Sequence, residues 1–147
     1  MVMSDKNHQS NDYRGYVGSR LYGGQRIPQH IQNLVIRDYA KRHQLNFLLS
    51  LTEYCMPDCF MMLHDAVESL GECRGIILYS IYLLPERASQ RQKIYEKTLA
   101  AGGEIHAAVE DISIKNEKDV IEVENILRVQ NALRSGTPFM QRLHSNL

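Results

Sequence analysis

Apolar residues recur along this chain at two different spacings, and the changes of spacing mark out its elements. Met1 to Asp12 shows neither period and is expected to be a tail, with order starting at Tyr13. The stretch YRGYVGS is short, aromatic and β-branched, and predicts a first strand that stops at glycine. Pro28 suits the first turn of a helix, where its missing N–H is no loss. Ile31, Leu34 and Val35 then recur at helical spacing as far as His43. FLLSLTEY is an apolar run of strand length. Pro57 and Asp58 predict the start of a second helix, with Phe60, Leu63, Val67 and Leu70 on its inner face and Gly71 as its cap.

Gly75 to Leu84, GIILYSIYLL, is the most apolar run and predicts a central strand covered on both faces. Pro85 ends it and opens a third helix with Ile94, Tyr95, Thr98 and Leu99 inside, closed by Gly102 and Gly103. EIHAAVED predicts a fourth strand, followed by a short polar connector. Lys118 to Arg134 predicts a last helix with Val120, Val123 and Leu127 on one side, stopped by Gly136 and Pro138. Strand and helix therefore alternate four times. That order predicts an α/β fold, a single three-layer domain with a mainly parallel four-stranded sheet and helices on both faces. The domain is expected over residues 13–135, between tails 1–12 and 136–147.

Composition narrows the class. The chain has 147 residues, with 17 Lys+Arg against 17 Asp+Glu, enough for one domain with a real core. A net charge of zero argues against a nucleic-acid partner. No apolar run approaches the ~20 residues that span a bilayer, so no membrane partner is expected. The polar opening MVMSDKNHQSND has no secretory pattern, and a cytoplasmic protein is expected. Cys55, Cys59 and Cys73 cannot all pair within one chain.

Open parallel sheets bind ligands beyond the carboxyl ends of their strands. Four segments are expected to meet there: Gly18-Ser19-Arg20, Glu53-Tyr54, Ser80-Ile81-Tyr82 and Glu110-Asp111. The first carries most information. RGYVGSRLYGGQRIP sets Arg14, Arg20 and Arg26 among four glycines and then enters a helix. Glycine lets backbone approach a ligand, a helix start offers free N–H groups, and arginine matches carboxylate or phosphate. Either these arginines grip an anion or they pair with carboxylates elsewhere. The loop has neither the phosphate-loop spacing nor the dinucleotide fingerprint, and no cofactor is expected. Glu53 and Glu110 are candidates for acid–base work or for binding sugar hydroxyls, or else cap helices. Ser19 and Ser80 are nucleophiles only with a base in reach. His106, inside a strand, reads as a buried, hydrogen-bonded histidine rather than a catalytic base.

Cys55, Cys59 and His64 have no known zinc-finger spacing, and Cys59 and His64, five apart on a predicted helix, do not share one face, so no metal is expected. Met56, Met61 and Met62 fit a packing surface. Glu117, Asp119, Glu122 and Glu124 complement the dipole of the last helix. That helix is apolar on more than one stripe, through Ile121, Ile126 and Val129, which points to a homodimer.

Two family resemblances accompany these residues. GYVGS, the helix QNLVIRDYAKRHQL, a strand ending in Glu and GIILYSIYLL resemble, distantly, the catalytic domain of serine recombinases (resolvases). The resemblance implies a four-stranded parallel core and a dimer built on a long C-terminal helix. The chain departs from that family's arginine pattern: Gly18 stands at one arginine position, Cys59 at another, and Tyr82, Leu83 and Glu86 replace the pattern after the third strand. A phosphoryl-transfer transition state would lack its electrostatic support, so the resemblance extends to the scaffold and not to DNA strand exchange. A closer resemblance, over roughly Tyr13 to Leu127, is to the bacterial sporadic carbohydrate cluster proteins. It rests on RGYVGSRLYGGQRIPQHIQNLVIRDYA, LTEYCMP, GIILYSIYLLPE and IYEKTLAAGGEIHAAVEDI. That resemblance implies a role in surface-polysaccharide (O-antigen or capsule) or unusual-sugar biosynthesis. With the residues above, it gives the expected ligand as a sugar phosphate, nucleotide sugar or sugar acid. Arg14, Arg20 and Arg26 would hold the anion, Glu53, Tyr54, Ser80 and Glu110 would face the sugar, and Ser19 would donate a hydrogen bond or act as nucleophile. The competing expectation is a non-catalytic dimeric interaction module.

Overall fold

The computed structural model describes residues 11–19, 21–22, 25–54 and 59–134. Arg20, Cys55, Pro57, Asp58 and both chain termini lie outside the described residues. The rest fall into two compact units, one ending at Lys115 and the other beginning at Asn116.

In the first unit, β1 (Asp12–Gly18) leads into a small antiparallel pair, β2 (Leu21–Tyr22) and β3 (Gln25–Arg26). Then follow α1 (Gln29–Arg42), β4 (Asn46–Glu53), α2 (Met61–Glu68), β5 (Gly75–Leu78), a 3-10 turn (Ile81–Leu83) and α3 (Ala88–Ala100). The hairpin β6 (Glu104–Ala107) and β7 (Ile112–Ile114) completes it. The sheet has five strands in the order β4-β1-β5-β6-β7. The first four run parallel and β7 is antiparallel to β6.

The expected four-strand sheet is thus corrected to five. The fifth strand comes from Ile112-Ser113-Ile114, read from sequence as polar connector. EIHAAVED is not one strand: it breaks after Ala107, and Asp111 turns the chain with φ 54°. That left-handed conformation suits a short polar side chain. The GIILYSIYLL run also divides. Leu78 ends β5, and the buried Ile81, Leu83 and Leu84 belong to the 3-10 turn and its exit. Asp12, expected in the tail, opens β1 opposite Asn46, whose side-chain amide it accepts.

Alternate residues of β1 and β5 face opposite layers. Tyr13, Val17 and Ile77 pack with Ile36, Tyr39 and Ala40 of α1. α1 carries the chain from β1 to β4, while α2 carries it back past β1 to β5. Right-handed crossovers in opposite directions put α2 and α3 on the other face, where they pack together. Gly102 (φ 70°) lets the Gly102 and Gly103 amides bond back to Leu99 and Thr98 and end α3.

The second unit holds α4 (Glu117–Arg134). The Asn116 side chain caps it, accepting from the Asp119 amide at 3.0 Å.

Candidate functional site

Strand order reverses between β1 and β5, and open parallel sheets bind ligands beyond the carboxyl ends of the strands at such a point. Four of the residues chosen from sequence come to this rim. Ser19 follows β1, Glu53 ends β4, Ser80 follows β5 and Glu110 lies in the β6–β7 turn.

The Ser19 amide and hydroxyl both donate to the Glu53 carbonyl, at 3.2 and 3.4 Å. Just before it, Gly18 is held by the fully buried Gln32 of α1. The Gln32 amide accepts from the Gly18 N–H (3.1 Å) and donates to the carbonyls of Gly18 (2.7 Å) and Ile27 (2.9 Å). One side chain therefore joins both ends of the glycine- and arginine-rich segment.

Glu53 is buried, and its Oε2 accepts from the Met62 amide at 2.8 Å. α2 begins after Phe60, which has no capping side chain, so Glu53 supplies the acceptor from β4. Ser80 Oγ accepts from the Tyr82 amide (3.2 Å) and donates to Glu110 Oε2 (3.0 Å). Glu110 Oε1 accepts from the Ile81 amide at 2.7 Å. Burial pushes the Glu110 carboxyl above the usual carboxylate range, and the bonds from Ile81 and Ser80 only partly oppose it. A serine hydroxyl paired with a carboxyl offers both a donor and acceptors of the kind that bind sugar hydroxyls.

Arg14 does not reach this rim. Arg14 is the third residue of the seven in β1, opposite Ile76 and on the face away from Tyr13. Its Cα is five residues before Ser19, roughly 16 Å along a strand. Arg26 is exposed on β3, and Arg20 lies outside the described residues. Tyr54 is 74% exposed and lies in solvent rather than against a pocket wall. Cys73 is buried beside Ser69, and Cys59 is half-buried. Among the described residues, no group of three His, Cys, Asp or Glu side chains is placed to hold a metal ion.

A second polar cluster went unseen in the sequence. Glu104 Oε2 accepts from the Tyr13 hydroxyl (2.8 Å) and pairs with His106 Nε2 (2.9 Å), and Arg74 Nε lies 3.4 Å from its Oε1. His106 Nδ1 is 2.7 Å from the Tyr39 hydroxyl. Burial alone would raise the Glu104 carboxyl, but the bonds from His106 and Tyr13 outweigh it and hold it below its usual value. An ionised carboxylate only accepts, so Nε2 carries the imidazole proton and Nδ1 accepts from Tyr39. Burial pushes His106 down and Tyr39 up to about 12, which keeps both neutral. His106 is thus the buried, doubly bonded histidine its strand position predicts. The signal for the rest was the i, i+2 pair Glu104 and His106, which shares a sheet face.

A groove of about 370 Å³ lies between α2 and α3, lined by Val67, Glu68, Leu70, Lys97, Ala100 and Ala101. These residues end helices that run back toward the amino ends of the strands, so the groove is on the opposite rim from Ser19 and Ser80. No helix among the described residues is long and apolar enough to cross a membrane. Compared with protein-family models, with curated proteins and with solved structures, the chain matches none.

Proposed function

We propose that this chain binds, and in an enzyme would modify, an anionic sugar in the crevice between β1 and β5, as part of bacterial surface-polysaccharide or unusual-sugar biosynthesis in the cytoplasm. One observation carries the reading. The buried carboxyl of Glu53, the half-buried carboxyl of Glu110 and the serine hydroxyls of Ser19 and Ser80 all stand at the carboxyl-end rim of the sheet, whose strand order reverses there. Carboxyls and hydroxyls of this kind match sugar hydroxyls. The anionic part falls to Arg20 and Arg26, since Arg14 lies too far down β1. The family resemblance to sporadic carbohydrate cluster proteins supplies the biosynthetic setting. Four parallel strands followed by a long terminal helix support the coarser likeness to the recombinase scaffold, without its chemistry.

Thermal unfolding with a panel of nucleotide sugars, sugar phosphates and sugar acids tests the proposal. A ligand at a hundred times its Kd adds about 2.7 kcal/mol. A raised Tm with at least one of them is expected. An unchanged Tm across the panel overturns the reading.

The second reading, a dimeric interaction module, is favoured by α4. Ile121, Ile126, Val129 and Leu133 are exposed on it. Its first half carries Glu117, Asp119, Glu122 and Glu124, and Arg128 follows. Antiparallel pairing with a second copy sets acidic against basic halves and buries the apolar stripe. Sedimentation should show a dimer that Val129→Asp dissociates. A wild-type monomer contradicts the pairing.

A further inference from the structure

α1 is pinned to the sheet at two polar points on one helical face. Gln32 holds Gly18 and Ile27. Tyr39, seven residues on, bonds to His106 at 2.7 Å. A seven-residue step returns a helix to nearly the same face, and Ile36 and Ala40 on that face are buried. The helix is rigid enough over two turns for a shift at one pin to be felt at the other.

The second pin depends on a proton. His106 Nδ1 accepts from Tyr39 only while the imidazole is neutral; protonated, both ring nitrogens donate. The phenol hydrogen then faces an N–H in a site without water-like screening. Around His106 stand Glu104 on its own strand, Tyr39 on α1, His43 at the cap of α1, Tyr13 on β1 and Lys115 after β7. Arg74 touches Glu104, and Asp111 pairs with His43 at 2.9 Å. Glu104 alone favours the imidazolium directly, while burial, Lys115 and His43 oppose it.

We propose that α1 is an acid-sensitive strap: protonation of His106 removes the acceptor for Tyr39, and the helix, released at that point, relaxes the grip of Gln32 on the two ends of the segment between Gly18 and Ile27. Acid thereby loosens the rim that carries Ser19. The strap would regulate the crevice proposed above, but it is read on the protein's own amides and needs no ligand, so the two ideas fail separately.

Hydrogen exchange of the ¹⁵N-labelled chain, corrected for intrinsic rates, tests it. The reporter is the Gly18 amide, which donates to Gln32 rather than to a neighbouring strand. The His106 ring protons report protonation in the same samples. As pH falls from about 7.5 through the His106 titration, Gly18 protection should fall roughly tenfold, the scale of one lost hydrogen bond, in step with that titration. His106→Gln should hold Gly18 protection constant over that range, and Tyr39→Phe should show low protection at every pH. A Gly18 protection that stays flat while His106 titrates overturns the strap. So does a His106 that never titrates in the folded chain, or an equal fall in His106→Gln.

Discussion

The Tyr13 hydroxyl reaches the Glu104 carboxylate, 2.8 Å away, across a strand that presents no side chain between them, because the intervening residue is Gly75. Tyr13, Gly75 and Glu104 are neighbours in register on β1, β5 and β6. A Cβ at Gly75 would lie 2.5 Å from the Glu104 carbonyl and 2.8 Å from Tyr13 Cε1. Both distances are inside van der Waals contact, and one of the atoms is backbone.

Gly75→Ala should therefore destabilise the fold by about 2–3 kcal/mol, the usual scale of core overpacking. Tyr13→Phe should cost less, about 1 kcal/mol, since Glu104 keeps its bond to His106. Urea unfolding of both variants checks the order.

The pH dependence of stability separates three groups, the buried Glu104 and His106 and the half-buried Glu110. Glu110 holds its proton to higher pH folded than unfolded, so its contribution is present below the ordinary value of 4.5 and is lost as pH rises through the folded value. His106 has the opposite sign: its folded value lies below 6.5, so stability is present above 6.5 and is lost as pH falls through the folded value. Glu104, also lowered, contributes above 4.5 and loses its contribution as pH falls below that. Glu110→Gln should remove the loss on raising pH from 4.5, and His106→Gln should remove the loss on lowering pH from 6.5. Urea midpoints of the two variants across this range are the measurement.

Glu53→Ala should cost about 1 kcal/mol, because α2 loses the acceptor of its Met62 amide and has no local cap to replace it. Exchange protection should drop at the first turn of α2 and stay unchanged in α3.

The layout of the domain was legible in residue patterning. Helical spacing of apolar residues located α1 and α3, and the glycines after α3 marked its end. What the pattern could not carry was the geometry inside apolar stretches. Ile81 and Leu83 are as apolar as the β5 residues, yet Ser80 caps a turn there and the strand is over. In the same way, Ile112 and Ile114 form an edge strand only because Asp111 adopts a left-handed turn. At the rim, Ser19 and Glu53 were reachable from strand ends, whereas Ser80 and Glu110 were chosen within runs read as longer strands, which in fact end earlier, at Leu78 and Ala107. Arg14 was grouped with the loop arginines although the strand predicted over YRGYVGS already contained it, five residues before Ser19. Gln32 was missed because its partners are main-chain atoms at Gly18 and Ile27. Tyr39 and His106 are 67 residues apart, and no local pattern joins them.

The most direct test of the central claim is amide chemical-shift mapping with the nucleotide sugars, sugar phosphates and sugar acids of the panel. The account predicts that a binding member perturbs Ser19, Ser80, Ile81 and Glu110 at the carboxyl ends of the sheet. Perturbations confined to Val67, Leu70 and Ala100 in the groove on the opposite rim, or none with any member, would contradict it.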